Sequence, residues 1–414
     1  MNIKSFEKLV NERLTNLKEV PTNKSVATTI RRRRKELNYT QGEVSSGICS
    51  VSYLSKIENG HLEPENYYVQ EIMSRIGIDN DEITNAVYID HVEELISSLY
   101  YNEADKISKL FEEIKAKKPM NVLSAELIYL GKSVYFDELD QSIDLIKSIN
   151  VVKKDLVDYE LKVFMYFIAL YESKHLKNKL ALDYLNILLM LDDNDVNLIT
   201  LVKILKGQVL TYLGEYVLAT NLICEVERHL VNTMNLSRLI DVKLDYAYLL
   251  VLTGQVIEAR VVLNKIKRYQ HFETKILERY YYVLGWLYKR EGDYEKAIKM
   301  FLNACSELYY ESMSNIIECY FKLKNTKMLN EFLTMINENT AGERYKFHVK
   351  LSNYFSVKSN NHLYESKEFI SRQLIPLMKT VKFKYYNDIF RYDLIEFHRS
   401  NGRYKEIDKI RRKM

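Results

Sequence analysis

Residues 40–60 read TQGEVSSGICSVSYLSKIENG, and this stretch decides the fold of the amino-terminal part of the chain. Thr40 and Glu43 have the spacing of a capping box, which predicts that a helix begins at Gln41. A second helix follows and ends near Gly60, because glycine commonly terminates a helix. The stretch therefore predicts two short helices that are joined by a tight turn.

The apolar residues of this stretch fall on one side of both predicted helices. Residues 24–38 precede it and predict an entry helix from their apolar spacing. The residues expected to pin the second helix are Val44, Ile48, Leu54 and Ile57. The residues that this helix then displays outward are Val51, Ser52, Tyr53, Ser55 and Lys56. The pattern is a helix-turn-helix, an arrangement with which small domains reach base edges in a major groove.

Positive charge is concentrated in the same region. Residues 31–35 read RRRRK, and residues 24–60 hold seven basic and three acidic residues, a net charge of +4. The whole chain also carries +4, so the remainder balances to zero. Four consecutive arginines cover more than one helix face, so at least one must point inward or pair with a carboxylate. A motif used only for protein contact is the alternative, but hydroxyl, amide and basic side chains favour DNA.

Residues 24–75 resemble the Xre/Cro-type helix-turn-helix, and their spacing is similar to that of the PlcR-like peptide-pheromone sensors. This resemblance implies a buried pair between Arg34 and Glu58. The chain departs from the pattern at Arg33, where many members have leucine or isoleucine. The residues expected to contact DNA are Arg34, Gln41, Val51, Ser52, Tyr53, Ser55, Lys56 and Asn59.

Length and composition predict a large helical protein. The chain has 414 residues, of which 47% are hydrophobic, and only 4 prolines and 12 glycines interrupt it. Its amino terminus predicts an amphipathic helix that packs on the motif domain or on a partner subunit. No apolar stretch of membrane-spanning length is expected, which points to the cytoplasm. The cysteines are scattered and predict reduced thiols: Cys49, Cys224, Cys305 and Cys319.

A repeat pattern follows the motif domain. In residues 281–304, small residues, a turn glycine and aromatic residues occupy the positions of a tetratricopeptide repeat. Gly285 and Ala297 lie where the two helices of the repeat cross, and Gly292 lies at their turn. A turn glycine precedes a crossing alanine by five residues three times in the sequence. The pairs are Gly214 with Ala219, Gly254 with Ala259, and Gly292 with Ala297.

The predicted fold is all-α, with a helix-turn-helix domain followed by a tetratricopeptide-like right-handed α-solenoid. The predicted segments are an amphipathic helix at 1–22, an Xre-type DNA-binding domain at 23–78, a linker helix at 79–95 and the repeat domain at 96–414. With this organisation the chain resembles the PlcR, NprR and Rap group (RRNPP) over nearly its whole length. The resemblance implies that the repeats sense a short signalling peptide in quorum sensing.

Asparagines commonly grip the peptide backbone in that group, and four are candidates here: Asn178, Asn197, Asn221 and Asn235. Capping or solvated asparagines are the alternative. The 33 tyrosines favour packing between hairpins over a groove lining. The sequence shows no pattern typical of an enzyme, a metal site or a cofactor site.

Two functions follow from these patterns. The first is a cytoplasmic transcription regulator with three partners: a double-stranded DNA operator, a short signalling peptide and a second copy in a homodimer. The second is a Rap-like interaction module that captures a response regulator or another protein, with DNA binding secondary. A membrane partner is expected under neither.

Overall fold

The structure is a computed structural model, and it is almost entirely helical over the residues that it describes. No strand occurs among those residues. They are 3–15, 30–31, 33–35, 37–58, 62, 65–77, 85–116, 123–191, 195–268, 274–306, 308–338, 346–359, 368, 371–372, 375–376, 383–400 and 402–411.

Four helices with described bounds belong to the amino-terminal part of the chain. They are α1 (Ile3–Thr15), α2 (Gln41–Ser45), α3 (Val51–Glu58) and α4 (Asn66–Arg75). Residues 30, 31 and 33–35 are also helical, as the predicted entry helix requires.

The described helices of the rest of the chain follow. They are α5 (Asn85–Tyr100), α6 (Ala104–Ala116), α7 (Leu123–Tyr135), α8 (Leu139–Val152), α9 (Asp158–Lys174), α10 (Asn178–Leu188), α11 (Val196–Leu213), α12 (Tyr216–Asn232), α13 (Leu236–Leu252), α14 (Val256–Ile266), α15 (Thr274–Glu291), α16 (Tyr294–Leu302), α17 (Tyr309–Lys322), α18 (Thr326–Glu338), α19 (Lys346–Ser359), α20 (Lys384–Ser400) and α21 (Tyr404–Arg411).

The chain divides into two compact units. The first comprises Met1–Tyr171 and Asp183–Val202, and the second comprises Glu172–Leu182 and Lys203–Met414. The division therefore falls inside the predicted repeat domain. At the predicted linker, the described helix is α5, which extends beyond residue 95 to Tyr100. The predicted domain boundaries stay predictions.

The turns within the hairpins share one backbone conformation. Gly214, Gly254 and Gly292 have φ of 85°, 84° and 86°, which is the left-handed region that favours glycine. After each glycine, the next amide donates to a carbonyl five residues earlier, as in Asp293 N to Tyr288 O at 3.0 Å. This is the Schellman pattern, which satisfies carbonyl groups at the helix end. The predicted turn role of these glycines is confirmed.

Four further hairpin turns adopt this conformation without glycine. Asn102, Asp137, Leu176 and Lys324 have φ of 60°, 63°, 58° and 55°, and each lies between the two helices of a hairpin. The amide after each residue again donates to the carbonyl five residues earlier. A glycine-based reading of the sequence could not find these turns.

Close helix crossings explain the small residues inside the hairpins. A Cβ atom on Gly285 would lie 2.7 Å from the Phe301 ring, so α15 and α16 require glycine there. A Cβ atom on Gly131 would lie 2.6 Å from Phe167, between α7 and α9. These crossings confirm the tetratricopeptide-like packing that the repeat pattern predicts.

The first helix of a hairpin is more buried than the second. In α13, 11 of 17 residues are buried, whereas in α14 only 3 of 11 are. In α17, 9 of 14 residues are buried, against 2 of 13 in α18. First helices are therefore covered on more than one side, and second helices leave one face open to solvent.

Helix α1 packs on hairpin helices of the first unit. Phe6 is fully buried, and its ring lies 6.0 Å from that of Phe164 in α9 and 5.3 Å from that of Tyr184 in α10. Arg13 donates to Asp158 at 2.5 Å and to the carbonyl of Leu156 at 2.6 Å. The expectation of packing on the motif domain or on a partner subunit is corrected: the apolar face of α1 covers α9 and α10.

Among the described helices, one, α11, is apolar enough over its 18 residues to cross a membrane by length and composition. The expectation that no such stretch occurs is therefore wrong. Of this segment, 56% is buried inside the protein, and core helices of folded domains share the same length and composition.

Candidate functional site

The first helix of the motif begins where the sequence predicts. Thr40 precedes α2, and its hydroxyl accepts from the amide of Glu43 at 3.2 Å. The Glu43 carboxylate in turn accepts from the Thr40 amide at 2.6 Å, which completes the capping box. This bond from the backbone lowers the pKa of Glu43. The capping box fixes the start of α2 beside the second helix.

The predicted core holds α3 from behind. Val44, Leu54 and Ile57 are fully buried, and Ile48 packs against them. Additional apolar residues come from α4 and its end: Val69, Ile72, Met73 and Ile76. The hydroxyl of Ser50 accepts from the Tyr53 amide at 3.1 Å and caps α3.

A polar cluster ties α3 to the entry helix and to α2. Arg34 Nε lies 2.6 Å from Glu58 Oε1, and Arg34 Nη2 lies 2.8 Å from Glu58 Oε2. Gln41 donates through Nε2 to the same Oε2 at 2.8 Å. Hydrogen bonding to Glu58 raises the pKa of Arg34. The predicted pair is present, and it accounts for the arginine that had to point inward. We call Arg34, Gln41 and Glu58 the clamp.

Two other arginines donate to carbonyl groups at helix ends, Arg33 at the end of α4 and Arg75 at the end of α2. Arg33 donates through Nε to the Ile76 carbonyl at 3.2 Å. Arg75 donates to the Val44 carbonyl at 3.3 Å and also to that of Ser46. A cation at a helix carboxyl terminus satisfies free carbonyl groups and the helix dipole. Arg33 therefore replaces apolar packing with a capping bond.

Fewer residues of α3 face solvent than the sequence predicts. Val51, Ser52 and Lys56 are exposed, whereas Ser55 is half-buried. The ring of Tyr53 lies 5.1 Å from that of Tyr68, so this tyrosine packs partly within the domain. Arg34 and Gln41 are engaged in the clamp. Asn59 lies outside the described residues.

The four candidate asparagines occupy different environments. Asn235 caps α13 and accepts from the Arg238 amide at 3.1 Å, while Asn221 is exposed on the second helix of its hairpin. Asn197 is half-buried, and its backbone N–H donates to the side chain of Asp195 at 2.8 Å. Asn178 is buried at the start of α10.

No described residue forms a hydrogen bond with the side-chain amide of Asn178. The structure does not bring the four asparagines together in one described site. Their role as peptide ligands stays a prediction.

Sequence reasoning missed a charged cluster on the first helices of the second unit. Arg279 in α15 donates to Asp241 and, at 2.7 Å, to Asp245, both in α13. Gln208 in α11 donates to Asp245 at 2.8 Å. Burial raises the pKa of Asp245, and the two carboxylates raise that of Arg279 against the effect of burial. Polar residues that interrupt the apolar first helices were the available signal.

A second missed cluster surrounds Lys289. Its Nζ donates to Glu318 at 2.5 Å and to Asn315 at 2.7 Å, both in α17. The same Nζ lies 3.9 Å from the ring centre of Trp286, the only tryptophan in the chain. The lysine is buried, and these contacts offset the cost of removing its ammonium group from water.

The comparisons agree with this geometry. Residues 30–83 match the family model described as helix-turn-helix. No curated protein matches the chain. Fold and site together define a helix-turn-helix protein with a tetratricopeptide-like α-solenoid.

Solved structures with the same fold include two complexes and one apo form. NprR in complex with its cognate peptide NprX is 16% identical, with a TM-score of 0.65 over 78% of this chain and 95% of that chain. A Rap protein complexed with competence and sporulation factor is also 16% identical, with a TM-score of 0.65 over 80% and 96%. The apo form of NprR from B. thuringiensis is 17% identical, with a TM-score of 0.53 over 78% and 96%. At these identities the likeness shows the fold.

Proposed function

We propose that the chain is a cytoplasmic transcription regulator whose helix-turn-helix domain binds a DNA operator under the control of a short signalling peptide. The observation that carries the proposal is the outward face of α3. Ser52 and Lys56 point to solvent from a helix that the clamp and a closed apolar core hold in place.

The DNA part of the proposal follows from the chemistry of this face. A serine hydroxyl bonds to base edges or phosphates, and a lysine ammonium releases counterions when it docks on a phosphate. One such domain buries little surface, so we propose that a homodimer reads an operator with two-fold symmetry. We also propose Gln41, whose Nε2 donates to Glu58, as a DNA contact, and Asn59 as a contact to the DNA backbone.

The peptide part rests on the repeat fold. NprR with this fold was solved in complex with its cognate peptide NprX, and a Rap protein with this fold was solved in complex with competence and sporulation factor. In this chain, Arg279 and its two aspartates place charge on the first helices, and the arginine side chain is 27% exposed. Such groups suit the polar backbone and termini of a peptide. A peptide that prefers one arrangement of the hairpins would shift the population of DNA-binding states.

The test compares operator binding of purified variants. DNA fragments are selected from a random library with the purified chain, and affinity is measured by fluorescence anisotropy at fixed salt. We expect Ser52→Ala/Lys56→Ala to lose at least about tenfold in affinity. The control is Lys109→Ala, which removes an exposed lysine of α6. Equal affinity of the double variant and the wild type would contradict DNA recognition by α3.

The peptide arm uses synthetic peptides from the carboxyl ends of short open reading frames beside the gene. We expect one of them to bind in calorimetry and to change operator affinity. Binding without any change in operator affinity would contradict the coupling. A cellular phenotype that survives loss of operator binding would favour the protein-interaction function instead.

A further inference from the structure

Helix α20 packs across the first helices of the second unit. Phe383, which directly precedes α20, lies 4.9 Å from Tyr212 of α11 between ring centres. Tyr385 lies 4.9 Å from Trp286 of α15, and Phe390 lies 5.0 Å from Tyr354 of α19. Helix α20 thus returns onto α11, α15 and α19, which lie far apart along the chain. This contact explains why first helices are buried on more than one side.

The contact surface of α20 is aromatic and amphipathic. Phe383, Tyr386 and Phe390 are buried at helical spacing, whereas Tyr392 on the opposite side is 65% exposed. Most ring pairs meet edge to face, as Tyr385 does with Trp286 at an angle of 81°. One short segment therefore fills the inner surface of the hairpins with aromatic side chains.

Polar bonds accompany these rings. Tyr386 donates to Asn315 at 3.4 Å, next to the Lys289 cluster, whose Nζ lies 5.2 Å from the Tyr385 ring centre. Lys358 of α19 donates to Asp393 at 2.7 Å. The Lys289 cluster thus meets α20 through ring faces and one long hydrogen bond.

A buried hydroxyl beneath α20 is left without a partner. Tyr248 of α13 is buried between Tyr212 and Trp286, at ring distances of 6.3 and 5.6 Å. None of the described residues forms a hydrogen bond with its hydroxyl. Burying a hydroxyl without a partner is unfavourable, so α20 is an imperfect occupant of this surface. An occupant with a free backbone group at this point would bond better.

We infer that α20 is a displaceable internal occupant of the peptide site, and that the signalling peptide binds in its place on the surface of Tyr212, Tyr248, Trp286 and Lys289. The inference rests on the proposed function and adds the chemical class of the ligand. The peptide carries aromatic side chains for Trp286 and Lys289, and polar backbone groups for Tyr248. Because α20 is tethered, it competes at an effective concentration on the order of millimolar and sets a threshold for the signal.

The test uses α20 itself as the probe. A synthetic, fluorescently labelled peptide of residues 383–400 is added to the full-length chain, and binding is followed by anisotropy. Quenching of Trp286, the single tryptophan, reports on the same surface. A peptide with the same residues in scrambled order controls for non-specific aromatic binding.

The variants weaken the resident helix without touching the probe. Tyr385→Ala removes the ring that contacts Trp286, and the matched control Tyr392→Ala removes an exposed tyrosine of the same helix. We expect the labelled peptide to bind Tyr385→Ala about tenfold more tightly than the wild type or Tyr392→Ala. Far-UV circular dichroism checks that each variant remains helical.

Hydrogen exchange of the wild-type chain provides a second measurement that needs no variant. We expect the amides of α20 to exchange at least about 100-fold faster than those of α13, because α20 opens locally. Equal protection of α20 and α13, or equal peptide binding by all three proteins, would overturn the inference. If the labelled peptide of residues 383–400 does not bind while a signalling peptide still shifts operator affinity, the inference about α20 is wrong and the proposed function stands. If the probe binds and no peptide affects the operator, the proposed function fails.

Discussion

The clamp that orients α3 gives the sharpest stability prediction. The side chain of Glu58 is only 1% exposed, and that of Arg34 is 12% exposed. Replacing Arg34 with methionine leaves a buried carboxylate that keeps one neutral donor, Gln41. Breaking a buried pair from one side costs about 3–5 kcal/mol. Because Arg34 reaches the surface, we expect the lower end, about 3 kcal/mol.

Removing both charges is expected to be much less harmful. The double variant Arg34→Met/Glu58→Leu buries apolar groups in place of the pair, and we expect it to lose only about 1 kcal/mol. Glu58→Leu alone leaves Arg34 without its carboxylate, but Arg34 can turn to solvent. We therefore expect a loss of unfolding free energy between those of the other two variants. The double-mutant cycle should therefore show a coupling of at least about 2 kcal/mol.

The assay must report on the motif domain alone, because the chain contains two compact units and a single melting curve averages over them. Hydrogen exchange followed by mass spectrometry gives the opening free energy of residues 51–58. Operator affinity should fall in the same order as this local stability. The reasoning is refuted if the double variant opens as readily as Arg34→Met, since the two side chains would then be uncoupled.

Four further outcomes are expected. Lys324→Gly should stabilise the second unit by about 0.5 kcal/mol and raise its melting temperature, because glycine tolerates the left-handed turn. Gly285→Ala should destabilise it by about 1–3 kcal/mol in denaturant titrations, because the added Cβ meets Phe301 at 2.7 Å. Phe6→Ala should release α1 at a cost of about 3 kcal/mol, seen as fast hydrogen exchange of residues 3–15. The buried thiol of Cys319 should resist iodoacetamide at pH 8.5 until the chain unfolds, because burial raises its pKa to about 12 and little thiolate forms below that pH.

Matched variants separate these effects from general damage. Lys324→Gly removes a side chain from a left-handed turn, and Gly292→Ala adds one to a turn of the same kind. Gly292→Ala should therefore destabilise the second unit, because φ at residue 292 is 86°. Lys8→Ala removes an exposed side chain of α1 and should leave its exchange unchanged. A stabilising Gly292→Ala, or labelling of Cys319 in the folded chain, would contradict the turn and burial arguments respectively.

Local signals in the sequence predicted the motif domain well. Thr40 and Glu43 form a capping box that marks the start of α2. The apolar spacing around Leu54 requires one face of α3 to be buried. Such short-range patterns depend on neighbours in the chain, so the sequence contains what is needed to recognise them. The Arg34–Glu58 pair came from a resemblance, and the structure confirms it.

Long-range contacts were harder to foresee. The return of α20 onto α11, α15 and α19 depends on tertiary geometry that periodicity does not encode. The turns at Leu176 and Lys324 lack glycine, so packing rather than local preference holds them in the left-handed region. The sequence alone could not distinguish whether Asn235 caps a helix or binds the peptide.

The docking of α1 changes how the DNA-binding domain is connected. The domain is an insertion between α1, which is fixed on α9 and α10, and α5, whose Leu95 contacts the neighbourhood of Gly131 in α7. The helix-turn-helix domain is therefore connected at both of its ends to helices that pack within the first unit. A single proteolytic cut on either side would leave it attached by the other connection.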